Sequence, residues 1–294
     1  MLEKKVMKLI VSFLIAVMCL GSVHAGKKGE VYEVGLSMYS LRQLFESRGG
    51  ELDALDYPRF AKEAFGITQI DVWSGGFPKE ERTNPAFYRE LKKRADQAGT
   101  NIFLLMAGAV NSEAEDRKKQ TALFAKQIDF AAILDAKFVR VFLDTPKTVK
   151  RSDSLKKAAA ALKPIADYAK SKGLVIVIEP KPNQYSGDGV YLATLAKRMD
   201  HRALRLMPDF GKMKLDDPYG GTVAMMPYSV SVSAKSHEFD ANGMSREFDY
   251  PRLMKSIVDA GFIGIVSIEY EGKELGPVEG VKATQSLLEK LNRK

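Results

Sequence analysis

One unit recurs along this chain: an amphipathic helix, a glycine or polar turn that stops it, and a short apolar strand ending in polar residues. Its clearest copy runs through Ser152, Leu155, Ala158, Leu162, Ile165 and Ala169 at helical spacing, stops at Gly173 and continues into the apolar run Leu174 to Ile178. An apolar run without polar alternation reads as a parallel strand covered on both faces. Further helix and strand pairs fall at 60–65 and 67–73, 87–98 and 101–106, 122–134 and 138–144, 192–199 and 204–209, and 253–260 and 263–269. A first strand at 34–39 and a weaker one at 230–235 bring the number to eight, and a last helix spans 278–291. Eight strands alternating with helices roughly thirty residues apart predict an α/β chain folded as a single closed (β/α)8 barrel, rather than an open doubly wound sheet. The turn after the first strand, Ser37-Met38-Tyr39-Ser40, lacks the glycines that cradle a dinucleotide.

The barrel is expected over 26–294, because residues 1–25 read as a signal peptide. Lys4, Lys5 and Lys8 precede the apolar stretch Leu9 to Leu20, and Val23-His24-Ala25 offers a small-x-Ala cleavage site. The apolar stretch is short for a membrane span. The single cysteine, Cys19, lies inside this segment, so the mature chain has no disulfide and relies on its core even in an oxidising compartment. The whole chain carries +8 at neutral pH, and loss of Glu3, Lys4, Lys5 and Lys8 leaves +6. Lys and Arg are interspersed with acids, as in Glu80-Glu81-Arg82, which reads as solvated helix faces and gives little support to a nucleic-acid surface. The expected location is periplasmic or secreted, with no membrane attachment after cleavage.

A barrel of this kind places its active site at the C-terminal ends of its strands. Those ends deliver Asp71 and Trp73, Arg140 and Asp144, Glu179 and Lys181, Asp209 and Lys212, Lys235 and His237, and Glu269 with Glu271. Side chains alternate along a strand, so Glu179 and Lys181 are expected on one side, about 7 Å apart, with Pro180 and Pro182 ending the ladder. Carboxylates converging at one mouth, Glu179, Asp209 and Glu269, need a cation or must protonate. Three carboxylates with one imidazole suit a single divalent ion, Mn²⁺, Mg²⁺ or Zn²⁺.

The string IEPKPN at Ile178 to Asn183, followed by PDFGK at Pro208 to Lys212 and by IEYEG around Glu269, resembles the xylose-isomerase-like barrel superfamily of sugar isomerases and epimerases. The resemblance spans the mature chain in element order, but only these three motifs are specific. It implies that Glu179, Asp209 and Glu269 bind metal, that Glu179 and Glu269 transfer protons, and that Lys181 contacts sugar oxygens. Two departures stand out. Lys212 occupies a place where the superfamily usually has histidine, and its His-x-Lys aligns with Ser233-Ala234-Lys235. His237 is then the imidazole expected to bend back as fourth ligand, while His201 sits in a polar turn at the far end. No Asp-x-Asp pair follows the seventh strand, which disfavours a second metal and a hydride shift.

The expected activity is metal-dependent isomerisation or epimerisation of a non-phosphorylated sugar, by proton transfer through an enediolate. Trp73, Arg140, Asn183, Lys212 and Lys235 are expected to bind the sugar. Arg140 lies within a buried strand and needs an acidic partner. The same site also suits a lyase or hydratase acting on a keto-sugar of the 3-keto-glycoside type. A sugar-binding barrel without catalysis is a further alternative, suggested by Ser233 and Lys212. The AP-endonuclease branch, with its histidine-rich multi-zinc site, fits poorly with the two histidines of the mature chain.

Overall fold

In the computed structural model, residues 31–182, 184–213 and 217–292 are described. Strands β1 (Glu33–Leu36), β2 (Gln69–Trp73), β3 (Asn101–Asn111), β4 (Phe138–Asp144), β5 (Val175–Glu179), β6 (Leu204–Leu206), β7 (Ser231–Ser236) and β8 (Ile265–Tyr270) form one sheet in the order β6-β5-β4-β3-β2-β1-β8-β7. Every ladder is parallel. The two ends of that order meet at the bridges Leu206↔Ser229 and Asp209↔Ser233, where Ser233 N donates to Pro208 O at 2.8 Å. The result is a TIM-barrel-like α/β fold. Between the strands run helices Tyr57–Phe65, Pro85–Ala98, Arg117–Ile133, Arg151–Ser171, Gly189–Met199, Pro218–Met225 and Tyr250–Asp259, with Pro277–Leu291 last. No helix among the described residues is long and apolar enough to cross a membrane. The expected signal peptide and its cleavage site lie outside the described residues.

The strands differ from expectation in length rather than in number. β1 stops at Leu36, because the chain turns at once into a short 3-10 segment, Met38–Leu41. β3 runs five residues beyond the expected Met106, to Asn111, paired with β4 on both sides of an irregularity between Met106 and Ala109. Helix Pro218–Met225 was not expected from the sequence, since Gly220 and Gly221 weaken a helix by ~1 kcal/mol each. Tertiary contact overrides that penalty: a Cβ on Gly189 would lie 2.3 Å from Gly221 O, so two helices meet where neither has a side chain. Met225 and Met226 are buried in the core, as their apolar character suggests.

Alternation along each strand sorts side chains between two compartments. Ile70 and Val72, Val139 and Val141, Ile176 and Ile178, Val232 and Ala234, and Val266 and Ile268 pack in the large core that contains Leu162 and Ile165 of helix Arg151–Ser171 and Leu253 of helix Tyr250–Asp259. The opposite parity faces the barrel interior. There Phe103, Leu104, Met106, Val177 and Met207 form a second apolar cluster. Beyond Val177 on the same face comes Glu179, and the corresponding positions elsewhere hold Asp71, Arg140, Lys235 and Glu269.

Candidate active site

The interior parity converges three buried carboxylates from three strand ends. Glu179, Asp209 and Glu269 each offer an oxygen such that all three lie within 4.8 Å of one another. Such a triad could hold a metal ion. Cations of the chain itself occupy the same region. Arg140 Nε stands 2.9 Å from Glu179 Oε2 in a buried ion pair, and its guanidinium lies over the Phe142 ring at 4.2 Å. Lys212 Nζ bonds Glu179 Oε1 and is 3.6 Å from both Asp209 Oδ2 and Glu269 Oε1. Lys235 Nζ is 2.9 Å from Glu269 Oε1 and 3.6 Å from Asp209 Oδ2, and it also bonds Glu271.

These contacts push the two glutamates apart. Burial raises Glu179 to about 7, helped by the charges of Glu269 and Asp209 and opposed by Lys212 and Arg140. Burial also penalises the Glu269 carboxylate, but Lys212, Lys235 and the hydroxyl of Ser233, which donates to Oε2 at 2.5 Å, overcome that penalty and hold Glu269 well below the usual range. For Lys212 and Lys235 burial acts downward, and the surrounding carboxylates outweigh it, so both ammonium groups are held above their ordinary value.

The remaining expected site residues are distributed less compactly. Lys181 does not join Glu179: it bonds Asp144 at the end of β4, while its backbone N donates to Ser186 O at 3.3 Å. His237 lies just past β7 with Nδ1 2.6 Å from Glu247 Oε2, and the ligand cluster among the described residues does not include it. His201 pairs with Asp167 at 3.1 Å, apart from the cluster. Trp73 meets Tyr39 edge to face at 4.9 Å, with Arg48 over its ring. Asn183 is outside the described residues. Two further interior residues belong to the site, although the sequence marked them only as strand-end polar positions. Glu271 takes a share of Lys235, and Asp71 accepts from Met38 N at 3.0 Å and from Ser267 Oγ at 3.3 Å. Phe142, whose ring lies under both Arg140 and Lys212, is legible only as the inward neighbour of Arg140 two residues along β4.

A cavity of about 610 Å³ opens over this cluster, bordered by Tyr39, Trp73, Phe142, Arg140, Lys212 and Glu269. It joins an aromatic wall to a charged floor, the composition that suits a sugar ring with its apolar face and its hydroxyls. The oxygen donors alone suit a divalent ion. The cations among them do not, because each of the six carboxylate oxygens of Glu179, Asp209 and Glu269 already faces an ammonium, Arg140, Ser233 Oγ or, for Asp209 Oδ1, the Gly211 N–H at 2.8 Å.

The matches to known proteins agree with this architecture. A family model described as xylose isomerase-like TIM barrel matches residues 58–291. No curated protein sequence matches the chain. Among solved structures, D-psicose 3-epimerase with D-tagatose from Clostridium cellulolyticum H10 superposes with a TM-score of 0.69 at 15% identity, covering 88% of this chain and 98% of that one. The probable 3-DHS dehydratase AsbF from Bacillus anthracis gives 0.68 at 15% identity, covering 87% and 98%. The 3-keto-D-glucoside 4-epimerase YcjR from E. coli gives 0.67 at 13% identity, covering 89% and 99%. At such identities the structural likeness is one of fold, whereas the family model spans most of the sequence. The chain belongs to the xylose isomerase-like TIM-barrel family.

Proposed function

We propose that this protein is a sugar isomerase or epimerase that moves a proton at the carbon beside a carbonyl of a non-phosphorylated sugar. The observation that carries the reading is the meeting of Glu179, Asp209 and Glu269 within 4.8 Å of one another beside a cavity that Glu269 and Lys212 line, with Glu269 held low and Glu179 raised to about 7. Paired groups whose environments separate their proton affinities are the arrangement that acid and base roles require. Glu269 takes the carbon-bound proton, and the electron pair moves onto the carbonyl oxygen. Lys212, at the cavity floor, holds the oxygen that becomes negative. Glu179 in its protonated form returns a proton to carbon, on the opposite face for epimerisation or, once the neighbouring hydroxyl has passed its proton to the former carbonyl oxygen, at the adjacent carbon for isomerisation. Arg140 is a positioning residue that holds Glu179 through Oε2. Lys181, bonded to Asp144 at the rim, is placed to meet the outer end of a longer sugar rather than the reacting carbon.

The sequence led us to expect Mn²⁺, Mg²⁺ or Zn²⁺ on Glu179, Asp209, His237 and Glu269. The chain's own cations share the carboxylates such an ion would need. A non-phosphorylated substrate is proposed because the N-terminal segment reads as an export signal, and an exported enzyme meets free sugars rather than the sugar phosphates that cells retain inside. Structural neighbours that include sugar epimerases support the same class of chemistry. A dehydratase among them supports the lyase or hydratase outcome, in which the same carbanion expels a group from the next carbon.

The test is incubation with free ketoses, aldoses and 3-keto-glycosides in deuterated water, read by NMR. Label appearing at the carbon beside the carbonyl is the expected result, with stereoisomers as epimerase products and an unsaturated product as the sign of a lyase. Absence of label and product across the panel would leave a sugar-binding barrel. Export is proposed on the N-terminal segment alone. Protein recovered from its native host should begin near Gly26, and a chain starting at Met1 in a cytoplasmic fraction would refute it.

A further inference from the structure

We infer that the ammonium groups of Lys212 and Lys235 take the place among Glu179, Asp209 and Glu269 that a divalent ion would occupy, and that they are the electrophiles of the reaction. This rests on the proposed proton-transfer chemistry and specifies its cation. The two Nζ atoms share the same two oxygens. Asp209 Oδ2 lies 3.6 Å from each, and Glu269 Oε1 lies 2.9 Å from Lys235 and 3.6 Å from Lys212. Among the described residues Asp209 Oδ2 is buried and has no hydrogen bond, and the two ammonium groups at 3.6 Å are the cations that face it. A divalent ion bound to that oxygen would sit against both like charges in a desolvated pocket.

The two lysines differ in how firmly they are held. Lys235 has a side chain only 5% exposed, and its stem lies on the backbone of the Asp209-Phe210-Gly211 turn, where a Cβ on Gly211 would be 2.4 Å from Lys235 Cδ. The glycine lets the stem pack directly against that turn. Lys212 is 17% exposed, lines the cavity, and stands over the Phe142 ring at 4.8 Å. Lys235 therefore acts as the fixed counter-charge beside Asp209 and Glu269, and Lys212 as the cation that reaches substrate. When Glu269 removes the carbon-bound proton, the electron pair forms the carbon–carbon double bond of an enediolate. The carbonyl oxygen gains the negative charge and is held by the Lys212 ammonium. Reprotonation at carbon restores the carbonyl and the starting charge.

Two measurements on the whole mature protein test this separately from the sugar chemistry. The first is metal content after dialysis, together with titration by MnCl₂ followed through the EPR signal of free Mn²⁺. The wild type is expected to retain no stoichiometric metal and to leave that signal intact, while Lys212→Gln and the double variant Lys212→Gln/Lys235→Met should quench it as the uncovered carboxylates take up the ion. Stoichiometric Mn²⁺, Zn²⁺ or Mg²⁺ in the wild type would overturn the inference, whether or not either variant folds. The second is solvent exchange on a turned-over sugar with and without EDTA. The expected results are an unchanged rate with chelator in the wild type and a loss of ~10²–10³-fold in Lys212→Gln, the range for removing one preorganised oxyanion donor. Loss of exchange on chelation would overturn the inference. If no sugar is turned over, the proposed reaction fails, and the Mn²⁺ titration still decides which cation holds the triad.

Discussion

Glu269→Gln should reduce solvent exchange at the carbon beside the carbonyl by about 10³-fold, within the range that a positioned base contributes. The amide keeps the shape of the side chain and an oxygen able to accept from Ser233 Oγ, but it has no charge with which to accept a carbon-bound proton. The fold should survive, because Lys235 keeps Glu271 as a bonded partner and Asp209 at 3.6 Å. Sugar binding should be retained as well, since the aromatic wall of Tyr39, Trp73 and Phe142 is untouched. The distinguishing readout is therefore a fall in kcat with little change in KM, measured beside a thermal melt and ligand-observed NMR. A variant that exchanges within a few-fold of wild type would remove Glu269 as the base, and one that melts far lower would make its role structural.

The period of the repeat made the barrel legible, and strand parity made most of the site legible. Once Ile176 and Ile178 are assigned outward, Glu179 must face inward, and the same reasoning places Arg140, Lys235 and Glu269. The reasoning fails where the chain leaves the strand. Lys181 shares parity with Glu179 on paper, but Pro180 ends the ladder between them, and the chain turns so that Lys181 reaches Asp144 instead. His237 follows β7 by one residue, and nothing local announces that Glu247, ten residues on, will claim its Nδ1. The pairing of Lys212 with Glu179 was equally hidden. Lys212 was legible as a strand-end residue, but its position among three carboxylates depends on the turn at Gly211 and on the β6–β7 closure, both long-range features. Asp71 shows the converse. It was read as one polar strand end among several, yet it is fully buried and tied to Met38 in the 3-10 segment after β1 and to Ser267 on β8, two strands away.

That burial has a measurable consequence: Asp71→Asn should stabilise the protein in alkaline solution and leave it nearly unchanged in acid. Desolvation raises Asp71 from 3.8 to about 8, with the charge of Glu269 adding to the rise and the Met38 N–H, Arg140 and Ser267 opposing it. The folded state thus binds this proton more tightly than the unfolded chain does. Stability from the group is fully present below pH ~4, falls as pH rises through the window from about 4 to about 8, and stays at its lower level above it. At ~1.4 kcal/mol per unit, the penalty in the wild type at alkaline pH is on the order of 5 kcal/mol. Asparagine carries no such penalty, and its side chain can still accept from Met38 N and meet the Ser267 hydroxyl. For a chain of this length the melting temperature above pH ~8 should rise by roughly 10 °C, with the difference shrinking toward zero near pH ~4. Parallel melts of the two proteins across that range check the sign as well as the size. Equal melting temperatures at every pH would mean that Asp71 remains ionised without cost, and a less stable variant at high pH would mean that its charge is compensated by Arg140 across the barrel.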